Sequence, residues 1–255
     1  MARSLAAFAV ALMTLGASTG SAAGASVVPT GTGSAAGGPP PRPKLHTCDL
    51  GMPRPFRCGH IMVPMLHSDP ALGQTKVAFA VRHRRDASKP SLGTIFAMDG
   101  GPGYASTAKP YAASLVAALG PILRRRDLVL YDMRGTGLSD AVDCPALQGG
   151  LIQEPIAIGE CANQLGPTYA GYTSAEAAED MNQLRRALGL GKIFFYGDSY
   201  GTFFGQAYAV RHPRTLRGLI LDSAYPGDDP YYRTLLPAGL DGLRITCRNS
   251  PTCTG

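Results

Sequence analysis

Phe194 to Gly205 read FFYGDSYGTFFG: an apolar, aromatic run closes at Gly197, a single serine follows at position 199, and Gly201 opens a second apolar run. Ser199 is either a nucleophile or an incidental serine in a glycine-rich turn. KIFFY, just upstream, reads as a buried strand, and SYGTFFGQAYAVRH reads as a helix. A G-x-S-x-G at the junction of a strand and a helix is the setting of a nucleophile elbow. Gly197 and Gly201 remove side chains that would collide where the chain turns, and the Ser199 hydroxyl stands at the positive end of the helix dipole. The pentapeptide alone says little in a chain with 32 glycines; the junction favours the nucleophile.

Working outward, short apolar runs alternate with helical patterns. HIMVPML, KVAFAVRH, GTIFAM, DLVLYD and LRGLILD read as further strands. KPYAASLVAALGPILRRR is helical in part, with Pro121 expected to end or kink it. In YTSAEAAEDMNQLRRALG, Thr173 and Glu176 form a capping box, Ala177, Met181, Leu184 and Leu188 share one face, and Gly189 stops the helix. Strands alternating with helices predict an α/β fold whose mostly parallel, doubly wound sheet is covered on both faces.

The strand GTIFA leads into MDGGPG, a loop whose amides are unobstructed by side chains. Alone, such a loop is a turn; paired with the elbow it supplies an oxyanion donor. Acyl transfer needs one donor from the residue after the nucleophile, here Tyr200, and one from this loop, here Gly101.

At 255 residues, 45% of them hydrophobic, the chain can bury a core. Its net charge of +6 is dispersed. The tightest groups, Arg82, Arg84, Arg85 and Arg124, Arg125, Arg126, lack interleaved aromatics and read as solvated surface, not a nucleic-acid stripe. Residues 1–25 carry Arg3, an apolar stretch from Leu5 to Leu15, then small residues, as a signal peptide does; a stable membrane span needs about 20 apolar residues. Residues 26–47, rich in Gly, Pro and Ser, read as a linker. Residues 48–225 read as the core and 226–255 as the start of a further region. Six cysteines without C-x-x-C spacing fit an oxidising, extracytoplasmic compartment, and proximity pairs Cys48 with Cys58, Cys144 with Cys161, and Cys247 with Cys253. No metal or other cofactor is expected.

DGGPG after a strand, LVLYDMRGTGLSD with its D-x-R-G-x-G-x-S pattern, the capped helix before YGDSYGT, and YAVRHP followed by LRGLILD resemble secreted α/β-hydrolases of the proline iminopeptidase and tripeptidyl aminopeptidase group. The resemblance runs from about Cys48 to the end of the sequence. It implies a cap after the sixth strand, a Ser, Asp, His triad in that order, and release of N-terminal residues from peptides. Met98 and Asp99 depart from the group, which more often has His or Asn before the glycines. The sequence ends at CRNSPTCTG, about where the cap should begin, so the expectation is a truncated chain, with the acid and histidine in a missing C-terminal part that would also be a partner.

No substitute base is evident. His212 lies at the far end of the elbow helix, roughly 20 Å from its start. His46 lies in the linker, and His60, His67 and His83 belong with the first two strands. Asp222, at the end of the next strand, is the one candidate acid; it also reads as an ordinary strand-end residue. Asp132 with Arg134 reads as an ion pair pinning its own loop. Three functions compete: a serine aminopeptidase acting on a peptide or small acyl substrate, an inactive product retaining a binding groove, and an esterase on the same fold.

Overall fold

The computed structural model describes residues 41–48, 55–149, 154–224, 227, 231–250 and 253; the expected signal peptide and most of the linker lie outside them. Among the described residues seven strands form one sheet: β1 (His46–Thr47), β2 (Phe56–Pro64), β3 (Gln74–Arg82), β4 (Thr94–Met98), β5 (Asp127–Tyr131), β6 (Ile193–Asp198) and β7 (Leu216–Asp222), in the order β1-β2-β3-β5-β4-β6-β7. The first three run antiparallel, and β3 is antiparallel to β5. From β5 through β4 and β6 to β7 the pairing is parallel, which brings the carboxyl ends of those strands to one edge. His46 and Thr47, the end of the stretch read as linker, pair with Cys58 and Arg57 and so belong to the sheet.

The helices are α1 (Lys109–Ala118), α2 (Pro145–Gln148), α3 (Glu154–Leu165), α4 (Ser174–Ala187), α5 (Tyr200–Arg211) and α6 (Tyr231–Arg248). None among the described residues is long and apolar enough to cross a membrane. Alternation along β3 sends Phe79 and Val81 to one face, where Ala177, Met181 and Leu184 of α4 and Phe204 and Tyr208 of α5 cover them. Ala80 goes to the other face, under Ala112 and Leu115 of α1 with Leu119 and Leu123. The double cover explains the runs of five buried residues in β4 and of four in β5.

Pro110 sits in the first turn of α1, and the helix ends at Ala118, ahead of Pro121. The Thr173 hydroxyl accepts the Glu176 amide at 3.2 Å and starts α4. The capping box is only half formed: Glu176 accepts the His67 amide at 2.7 Å, and the Thr173 amide donates to Gly171 instead. Disulfides join Cys48 to Cys58, Cys144 to Cys161, and Cys247 to Cys253.

Asp132 and Arg134 do not pair. Asp132, fully buried, accepts the Thr107 amide and hydroxyl at 2.8 Å each and the Leu138 amide at 2.9 Å, stitching two loops, while burial pushes its carboxyl up. Arg134 turns the other way, onto α4. Its guanidinium meets both Asp180 oxygens at 2.6 Å and donates to the carbonyls of Pro64, Met65 and Gly171. The sequence neighbour loses because Asp132 is already saturated by uncharged donors, whereas Asp180 offers a bidentate partner.

Candidate active site

At the carboxyl edge of the parallel strands, β6 ends at Asp198 and α5 begins at Tyr200. Ser199 between them has φ 50° and ψ −121°, a left-handed conformation that a non-glycine residue holds only when its surroundings impose it. Those surroundings are visible. The Ser199 amide donates to the Asp222 carbonyl at 3.1 Å, and the Ser199 carbonyl accepts the Thr202 amide at 2.9 Å and the Thr202 hydroxyl at 2.6 Å. A Cβ at Gly197 would strike the Gly201 backbone, so the turn closes only with glycine there.

Tyr200, first residue of α5, carries one of the first-turn amides for which a helix has no internal acceptor. Its phenol shares a 2.8 Å hydrogen bond with the Ser174 hydroxyl, which ties the start of α5 to the start of α4.

The glycine loop after β4 lies directly against the serine. A Cβ on Gly100 would stand 2.7 Å from Ser199 Cβ and 3.2 Å from its Oγ, so of the loop's three glycines it is Gly100 that meets the serine, a contact the sequence reading missed. The Gly100 amide is already given to Asp99 Oδ1 at 2.7 Å, and the Asp99 amide to Ser106 Oγ at 3.0 Å. Gly101, the next residue, has φ +106°.

Three carboxylates surround the turn. Asp198 accepts the Tyr111 phenol at 3.1 Å, and Asp222 accepts the Tyr196 phenol at 2.9 Å. Burial, then the charge of Asp99, pushes the Asp198 carboxyl up. Burial and the hydrogen bond to Asp222 push the Tyr196 phenol up to about 12. Among the described residues no Lys, Arg or His side chain pairs with Asp99, Asp198 or Asp222. Nor does any group of three or more His, Cys, Asp or Glu among them stand where it could hold a metal ion.

No hydrogen bond reaches Ser199 Oγ from a histidine. His67 sits against Asp180 at 2.9 Å and Gln183 at 3.2 Å, His83 against Asp127 at 3.4 Å, and His212 against Glu179 at 3.1 Å. His46 and His60 lie in β1 and β2, beyond β3 from the elbow. The arrangement therefore offers a presented hydroxyl, two candidate oxyanion donors and an acidic rim.

The alpha/beta hydrolase fold family matches residues 95–255. Tripeptidyl aminopeptidase of Streptomyces coelicolor is 26% identical over 195 residues, covering 69% of this chain and 36% of that protein. Serine protease Hip1 of Mycobacterium tuberculosis is 29% identical over 202 residues, covering 68% of this chain and 37% of that protein. The chain thus spans little more than a third of the length of these relatives. Among solved structures, the proline iminopeptidase of Mycobacterium smegmatis is similar at 23% identity and a TM-score of 0.43, covering 63% of this chain and 42% of that one.

Proposed function

The chain belongs to the α/β hydrolase family, and on that footing we propose that it is a secreted serine hydrolase of aminopeptidase type, with Ser199 as its nucleophile. The observation that carries this reading is the left-handed turn of Ser199 between β6 and α5, with Gly100 pressed against its side chain. In the proposed reaction Ser199 Oγ attacks a peptide carbonyl. The oxyanion receives the free first-turn amide of Tyr200 and the amide of Gly101, the Gly100 amide being held by Asp99. Peptide substrates are supported by relatives named as a tripeptidyl aminopeptidase and a serine protease. A free N-terminal ammonium is supported by a rim of carboxylates that no cationic side chain among the described residues neutralises. Three disulfides support an oxidising compartment.

The proposal assigns no base, because none of the five histidines bonds Ser199. That observation favours a second reading: a groove that binds peptides without turning them over. A fluorophosphonate probe, followed by a panel of aminoacyl-anilides and short-chain esters, separates the two. The nucleophile reading expects the label on Ser199, its loss in Ser199→Ala, and cleavage of anilides in preference to esters. Labelling undiminished in Ser199→Ala would move the nucleophile elsewhere. Peptide binding with neither label nor turnover would establish the second reading.

A further inference from the structure

At the end of the sheet opposite Ser199, two arginine triplets distant in sequence come together. Arg82 closes β3 and pairs in register with Leu128 at the start of β5. The chain beyond it then runs along the turn before β5: the amides of Arg85, Asp86 and Leu92 donate to the carbonyls of Leu123, Arg124 and Arg125. Arg125 returns a bond from Nη2 to the Pro90 carbonyl at 3.2 Å. Arg82 follows Ala80 onto the face covered by α1 and Leu123, so its side chain lies on the side of the sheet that this turn covers.

The cations here are poorly compensated. Asp127 meets Arg84 at 3.5 Å, and Asp86 is engaged by the Ser88 hydroxyl and faces Lys89 at 4.0 Å. Arg82 is 3% exposed, yet its guanidinium makes no hydrogen bond or ion pair among the described residues, and its Nη1 is buried without a partner. Arg84 Nε and Arg125 Nε are buried and unpartnered as well. Of the four such orphaned atoms among the described residues, three fall in this one patch. Burying a charge without a counter-charge is among the costliest arrangements a fold can hold. Burial, and then the charge of Arg85, hold the Arg82 guanidinium below its ordinary range.

We propose that this patch is an anion site, in which a phosphate group docks on Arg82 and Arg85 beneath the turn that carries Arg125. The chemistry follows from the donors. Guanidinium groups offer forked N–H pairs that match a tetrahedral oxyanion and have no acceptor of their own. The site is separate from Ser199, at the other end of the parallel strands.

The test is thermal unfolding of the full chain in phosphate against chloride at equal ionic strength. A saturable rise in Tm specific to phosphate is expected. In Arg82→Met the rise should vanish, and the phosphate-free Tm should exceed that of the wild type because an uncompensated buried charge is gone. Arg85→Gln, at an exposed position, should weaken phosphate binding about tenfold without altering the fold; Arg248→Gln, on α6, should bind as the wild type does. Sedimentation with phosphatidylglycerol vesicles, competed by inorganic phosphate and absent with phosphatidylcholine, identifies the group as a lipid headgroup; phosphate binding without sedimentation identifies a free anion. Equal Tm in phosphate and chloride overturns the proposal, as does a phosphate shift that survives in both Arg82→Met and Arg85→Gln.

Discussion

The amide of Ser199 donates to the main-chain carbonyl of Asp222 across 3.1 Å, so the end of β7 holds the elbow through its backbone, while the Asp222 carboxylate is bound by Tyr196. A side-chain change at 222 leaves that carbonyl in place. Asp222→Asn should therefore keep the fluorophosphonate labelling rate of Ser199 within about twofold, where loss of a triad acid costs on the order of ten-thousandfold. Loss on the latter scale would make Asp222 the acid.

Gly100→Ala places a methyl group 2.7 Å from Ser199 Cβ. Relief requires the glycine loop or the elbow to move, at about 1–3 kcal/mol. Labelling of Ser199 should fall at least about tenfold, because oxyanion stabilisation is lost when its donors are displaced. Urea unfolding and probe kinetics on the same variant read both effects.

Asp198 titrates higher in the folded protein than in the unfolded chain, through burial and then the charge of Asp99. The folded state thus binds the proton more readily, and ionisation costs stability. That cost is absent below the unfolded value of about 3.9, grows as pH rises through the interval up to the raised folded value, and stays constant above it. Asp198→Asn should melt higher than the wild type at pH 7, with the difference closing below about pH 4. A constant difference across that range would assign the effect to packing.

Arg134 and Asp180 are each 1% exposed at the side chain and bonded twice to one another. Arg134→Met should cost about 3–5 kcal/mol by removing both guanidinium bonds from the buried Asp180 carboxylate and leaving it, among the described residues, only His67 at 2.9 Å. The double variant Arg134→Met, Asp180→Leu should cost less than the sum of the two single changes. Denaturant unfolding of the four proteins gives the coupling.

The strand and helix periods, the junction of β6 with α5 and the disulfide pairs were legible because each depends on local spacing. Where packing decides, local spacing carries no signal. Pro155 and Gly159 obscure α3, and Pro237, Gly239 and Gly242 obscure α6, since breakers interrupt the apolar period on which a helix is recognised. Which glycine of the loop touches Ser199 depends on how that loop folds back, and no spacing in DGGPG distinguishes Gly100 from Gly101. Arg134 took Asp180 from α4 over its near neighbour Asp132, a choice made by tertiary contact. Likewise, two arginine triplets that read as solvated surface are joined by backbone hydrogen bonds that neither triplet encodes alone.

The strand order sets a sequence of events in time. β2 and β3 face one another over nine residue pairs, from Phe56 with Arg82 to Pro64 with Gln74, across a short connection, and can form as soon as both have left the ribosome. β4 must wait: its neighbour β6 pairs Ile95 with Phe194, about a hundred residues later, and closing so long a loop slows the search for native pairing. Until β6 arrives, the apolar edge of β4 that will meet Phe194 and Phe195 is open to other chains. In pulse-labelled refolding, amides of β2 and β3 should gain protection before those of β4 and β6. Aggregation during that interval should rise with protein concentration, and simultaneous protection of all four strands would refute this order.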